Sequence, residues 1–147
     1  MYVQELHARY RRRHVRDWSM PTESLQIPRD AARIFANLLR DEVVEVAGLL
    51  CLSARLHVIA YHELSRGTLD ATVMHPRDVF RIALLANART VILGHNHPSG
   101  EVTPSPEDRA VTSRIVAAGA VIGIELLDHF VVAADGKYLS FKESGLL

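Results

Sequence analysis

Val43–Ser53 is an almost unbroken run of apolar, strand-forming residues interrupted by Glu45. Such a run reads as a buried strand, because a strand with one wet face alternates apolar and polar residues. Leu56–Leu64, with Val58, Ile59 and Tyr61, follows at once and reads as a neighbouring strand. Buried strands need covering layers, and helical patterns elsewhere supply them. Ala31, Ile34, Phe35 and Leu38 recur at spacings of three and four after Pro28, predicting a helix that ends near Arg40. His75–Pro76–Arg77–Asp78 opens a second, with Pro76 in its first turn, His75 as a polar cap and Val79, Ile82, Ala83 and Ala86 facing inward.

Thr90–Gly94 reads as a short buried strand running into the polar loop His95–Gly100. Ser105–Pro106–Glu107–Asp108 is then a helix start, with Ser as cap, Pro at the first position and acids in the first turn. That helix is expected to reach Ala118 and stop at Gly119. Ala120–Leu127, Phe130–Ala133 and Tyr138–Phe141 read as strands, with Asp135–Gly136 turning between the last two. The order predicts a single α/β domain over residues 28–147, a mixed sheet flanked by helices, behind an Arg-rich extension of residues 1–27.

Composition narrows the function classes. At 147 residues and 48% hydrophobic content the chain fills one core rather than two. Lys plus Arg and Asp plus Glu are equal at 17 each, so no global field recruits nucleic acid or an anionic membrane. A local DNA contact is open to Arg9, Arg11, Arg12, Arg13 and Arg16, although no helix-turn-helix or RNA-binding aromatic motif accompanies them. Cys51 is the only cysteine, which rules out an intramolecular disulfide and a Cys-rich zinc site. With no apolar secretory stretch and no segment near the ~20 apolar residues of a membrane span, a cytoplasmic location is the default expectation.

The chemistry concentrates in one place. His95 and His97 are one residue apart, so on an extended backbone both imidazoles point to one side. Eleven residues beyond His97, Asp108 falls at the third position of the expected helix, where a carboxylate is favoured by the positive helix end. Two nitrogens and one oxygen leave a fourth position open, the pattern of catalytic rather than structural Zn2+. Such an ion lowers the pKa of water to roughly 7 and polarises a carbonyl. A proton acceptor is also needed, and Glu45, an acid in an apolar strand, fits; Glu42 competes with it.

His95–Asn96–His97–Pro98, six residues, Ser105, two residues and Asp108 together resemble the JAMM signature of the MPN-type metallopeptidases. Glu45–Val46–Ala47–Gly48–Leu49 is similar to the segment that bears that family's upstream glutamate. The closer resemblance is to the bacterial RadC-like branch, through Gly67–Asp70, His75–Asp78, His95–Gly100, Pro104–Ser105 and Leu127–His129 in the order that branch uses them. It covers about residues 28 to 145. The resemblance implies a cytidine-deaminase-like (MPN/JAB) fold, zinc on His95, His97 and Asp108, Glu45 as general base and Ser105 as donor to the oxyanion. It also implies hydrolysis of a peptide or isopeptide bond in a protein or peptide substrate. Relatives of that branch carry an N-terminal helix-hairpin-helix region associated with DNA binding, where this chain has the Arg-rich stretch.

Two other functions fit parts of the pattern: a DNA-associated accessory protein that uses the zinc fold as a binding module, and a metal-dependent nuclease. A zinc nucleoside deaminase does not fit, since its ligand set needs more than one cysteine. Asp128–His129 reads as a strand junction with satisfied hydrogen bonds, and His57 and His62 as structural or exposed.

Overall fold

The computed structural model describes residues 1–11, 25, 28–67 and 74–147. Arg12, Arg13 and Arg16 lie outside the described residues, whereas Arg9 and Arg11 are exposed. The elements in chain order are α1 (Pro28–Leu39), β1 (Glu45–Leu52), β2 (Val58–Gly67), α2 (Pro76–Leu85), β3 (Thr90–Asn96), α3 (Pro106–Ile122), β4 (Glu125–Val132) and β5 (Tyr138–Ser140). Among the described residues the strands form one mixed sheet in the order β2-β1-β3-β4-β5. β1 is antiparallel to β2 and β3, β3 is parallel to β4, and β5 returns antiparallel to β4. α3 is therefore the crossover that a parallel neighbour requires.

The apolar run behaves as its composition demands. From Val46 to Leu52 every residue of β1 is buried, and successive side chains serve two cores. Val46, Leu50 and Leu52 join Phe35, Leu38 and Leu39 of α1 on one face. Ala47, Leu49 and Cys51 join Val79 and Phe80 of α2 and Val111 and Ile115 of α3 on the other. β3 divides the same way, with Val91 and Leu93 toward α2 and α3 and Ile92 toward α1. Leu25 belongs to the α1 face, and its N–H donates to the Leu56 carbonyl at 3.1 Å.

Three boundaries differ from expectation, each for a physical reason. α3 runs past Gly119 to Ile122 and is capped by Gly123, which takes the left-handed conformation at φ 83°. Gly119 is a close-packing position rather than a helix stop: a Cβ there would sit 2.4 Å from the Ile124 carbonyl oxygen. Residues 120–122 consequently continue the helix, and Glu125–Val132 form one strand in place of two. At the other end of the crossover, β3 extends through His95 to Asn96, paired on both sides with β1 and β4. The expected turn at Asp135–Gly136 does join β4 to β5, with the Gly136 N–H donating to the Ala133 carbonyl.

Candidate metal centre

Because His95 is part of β3, strand alternation sends its ring to the same face as Val91 and Leu93, beneath α3. Asn96 goes to the opposite face. There its Oδ1 accepts the Val46 N–H at 2.7 Å, and its Nδ2 donates to the Val44 carbonyl at 3.0 Å. The residue between the two histidines thus grips both residues that flank Glu45. Ala47 pairs with His95 in the antiparallel β1·β3 register, so Glu45 comes up beside His97. The Glu45 Oε1–His97 Nε2 distance is 3.2 Å.

α3 delivers the acid from the other side. The Ser105 hydroxyl accepts the Asp108 N–H at 3.1 Å while Asp108 Oδ2 accepts the Ser105 N–H at 2.7 Å, a complete capping box. The same Oδ2 stands 3.4 Å from His95 Nε2 and 3.6 Å from His97 Nε2. The two imidazole Nε2 atoms are 3.0 Å apart. Glu45, His95 and His97 also bring three ligand atoms within 4.8 Å of one another, a group that could hold a metal ion. His95 and Asp108 are fully enclosed, while His97 and Glu45 keep partial access to solvent.

Charge is concentrated here at a cost that the geometry offsets. Burial disfavours the Asp108 carboxylate, but the adjacent His95 and His97 rings outweigh it and hold the group well below the usual carboxylate range. The hydrogen bond to Asp108 in turn raises His97 above its ordinary value, with burial acting against it. His97 Nδ1 lies 2.6 Å from the Glu101 carbonyl oxygen, which can only accept. A neutral His97 therefore donates from Nδ1 and turns the lone pair of Nε2 toward Asp108 and Glu45.

Residues 25–146 match the RadC-like JAB domain family. The chain belongs to that family. A UPF0758 protein of Xanthomonas campestris pv. campestris is 48% identical over 123 residues, covering 84% of this chain and 54% of that relative. One of Thermotoga maritima is 50% identical over 103 residues, covering 70% and 46%. One of Symbiobacterium thermophilum is 48% identical over 120 residues, covering 82% and 51%. The chain thus spans about half the length of the curated relatives it matches.

In this RadC-like JAB domain the five residues singled out from sequence come together. A cleft of about 570 Å³ beside the imidazoles is lined by Val44, Glu45, Gly67, His97, Pro98, Ser99 and Ser105. Glu42, the competing acid, is engaged elsewhere: the Arg66 guanidinium grips both of its oxygens, at 2.5 and 3.0 Å, and also reaches Glu63. His75 caps α2 as expected, its Nδ1 accepting the Arg77 N–H at 3.0 Å. His57 and His62 are exposed.

Two further residues of the centre lie within the motifs quoted above but had no role there from sequence. One is Asn96. The other is His129, whose Nε2 is 2.8 Å from His95 Nδ1 and whose Nδ1 is 2.7 Å from Thr112 Oγ1. Burial, together with the nearby His95, holds the His129 ring well below its ordinary value. Asp128 lies inside β4 rather than at a strand junction, because the two expected strands are one, but its hydrogen bonds are satisfied as expected: it accepts from Ser140 Oγ and the Lys142 N–H, tying β4 to the C-terminal turn. From sequence His129 reads as part of a strand junction, and it becomes informative only once β4 is seen to run through it beside β3.

Proposed function

We propose that this domain is a zinc-dependent hydrolase of amide bonds, with His95, His97 and Asp108 holding the ion, Glu45 moving the proton and Ser105 donating to the carbonyl oxygen. The observation that carries this reading is the spacing of three donor atoms, two of them on the buried His95 and Asp108 and one on the partly accessible His97. A tetrahedral ion with ligands at about 2.0–2.1 Å keeps its ligand atoms roughly 3.3–3.4 Å apart. His95 Nε2, His97 Nε2 and Asp108 Oδ2 stand 3.0, 3.4 and 3.6 Å from one another. Without a cation or added protons, such electron-rich atoms repel at these distances.

Zinc bound there supplies a water activated near neutral pH and a Lewis acid for the carbonyl. The chain's own residues do the rest. Glu45 stands at the start of β1 on the cleft wall, partly open to solvent, where it takes a proton from the attacking water and returns it to the leaving amine. Asn96 fixes the backbone on either side of it. Ser105 spends a lone pair on the Asp108 N–H, which leaves its single O–H to donate to the oxygen that gains charge. The apolar flank of Val44 and Pro98 offers the substrate chain a surface beside these groups.

The test is cleavage of a peptide and isopeptide library by the 147-residue chain loaded with zinc. Glu45→Gln is expected to keep zinc and lose cleavage by at least about a hundredfold, the scale of a lost general base. A Glu45→Gln protein as active as the unaltered chain overturns the assignment of Glu45, and cleavage that survives loss of zinc overturns the metal-dependent reaction.

A further inference from the structure

The buried side of the centre carries a chain of hydrogen bonds whose direction is set by counting hydrogens. Thr112 Oγ1 lies 2.6 Å from the Asp108 carbonyl oxygen and 2.7 Å from His129 Nδ1, and His129 Nε2 lies 2.8 Å from His95 Nδ1. The carbonyl is an acceptor only, and the threonine has one hydrogen. That hydrogen belongs to the carbonyl, so His129 Nδ1 must donate to Thr112. His129 is wholly buried and stacked on Phe141 with ring centroids 4.5 Å apart, a setting that disfavours an unpaired imidazolium. A neutral ring that donates from Nδ1 accepts at Nε2, so His95 Nδ1 donates to it.

We infer that Thr112 and His129 are positioning residues that lock His95 in its Nδ1–H tautomer, with the Nε2 lone pair facing His97 and Asp108. The reverse order fails at the threonine. If His129 carried its hydrogen on Nε2, the single Thr112 hydrogen would have to serve both Nδ1 and the Asp108 carbonyl. One of these close contacts would then bring two lone pairs together. The chain starts on β3, passes through β4 and ends on α3 at the backbone of Asp108, so one device orients a ring and ties it to the helix that bears the acid. An imidazole takes the place in which a carboxylate or backbone carbonyl more often holds a metal-binding histidine. The use of the tautomer rests on the metal centre proposed above, but the hydrogen count does not.

Long-range 1H–15N spectra of the 147-residue chain, recorded at pH 7.5 with and without equimolar zinc, report which nitrogen of each imidazole carries the hydrogen. His95 and His129 are expected as Nδ1–H in both samples. Thr112→Val should leave His129 in a mixture of tautomers and weaken zinc binding by about ten- to a hundredfold, and Thr112→Ser should restore both. An Nε2–H on His129 in the unaltered chain overturns the inference, as does a folded Thr112→Val variant with unchanged His129 signals. Should Thr112→Val fail to fold, the unaltered chain still decides. Nδ1–H rings in a chain that takes up no zinc support the hydrogen-bond relay and contradict only the metal centre.

Discussion

α2 and α3 begin with the same local grammar, a polar cap, a proline, a variable residue and an aspartate, yet the two aspartates live in different worlds. At α2, His75 caps the Arg77 N–H and Asp78 faces solvent within 3.6 Å of Arg81. At α3, Ser105 caps the Asp108 N–H and Asp108 is buried against two imidazoles. The difference comes from topology. α3 is the crossover between the parallel strands β3 and β4, so its first turn sits over the end of β3 where His95 and His97 emerge. α2 connects β2 to β3, and its first-turn aspartate pairs with Arg81 instead. A helix start supplies a favourable place for an acid, and the strand order decides whether that acid meets anything.

The contrast is sharpest in zinc binding. Saturating zinc should stabilise the unaltered chain and Asp78→Ala by about 4 kcal/mol at a thousandfold excess over Kd, and Asp108→Ala hardly at all. Thermal melts with and without zinc read this, and equal stabilisation of both aspartate variants would erase the distinction. The caps come next. In zinc-free protein Ser105→Ala should cost about 1 kcal/mol, and His75→Ala about half that, as an exposed hydrogen bond at the low end of the range. Denaturant titration separates the two, and a larger loss at His75 would reverse the ranking of the helix starts. Asp78→Ala should shift stability by no more than about 0.5 kcal/mol, since an exposed pair and a helix-end charge are worth little.

A parallel contrast runs along β1, where Glu45 at the open end borders the cleft and Cys51 is enclosed. Burial pushes the Cys51 thiol up to about 11. Reactive thiolate is scarce below that pH, so iodoacetamide at pH 8 should leave the folded chain unlabelled and modify it only after unfolding. Rapid labelling of the folded chain would show that β1 opens.

Much of this was legible in the sequence because it is local. The capping box at Ser105 and Asp108, the buried run of β1 and the His-x-His spacing each lie within a few residues of chain. What stayed hidden depends on pairing across the sheet. Asn96 reads as a loop residue until β3 is seen to extend through it and lie beside β1, 50 residues away. His129 reads as a strand junction until the parallel β3·β4 register sets it behind His95, 34 residues away. Gly119 reads as a helix stop until the Ile124 carbonyl is found where its Cβ would be.

Elemental analysis of the unaltered 147-residue chain, purified without chelator, tests the centre most directly. One zinc per chain is the expected result, held through gel filtration. A folded chain with no zinc, and none taken up on addition, would contradict the convergence of His95, His97 and Asp108 on an ion.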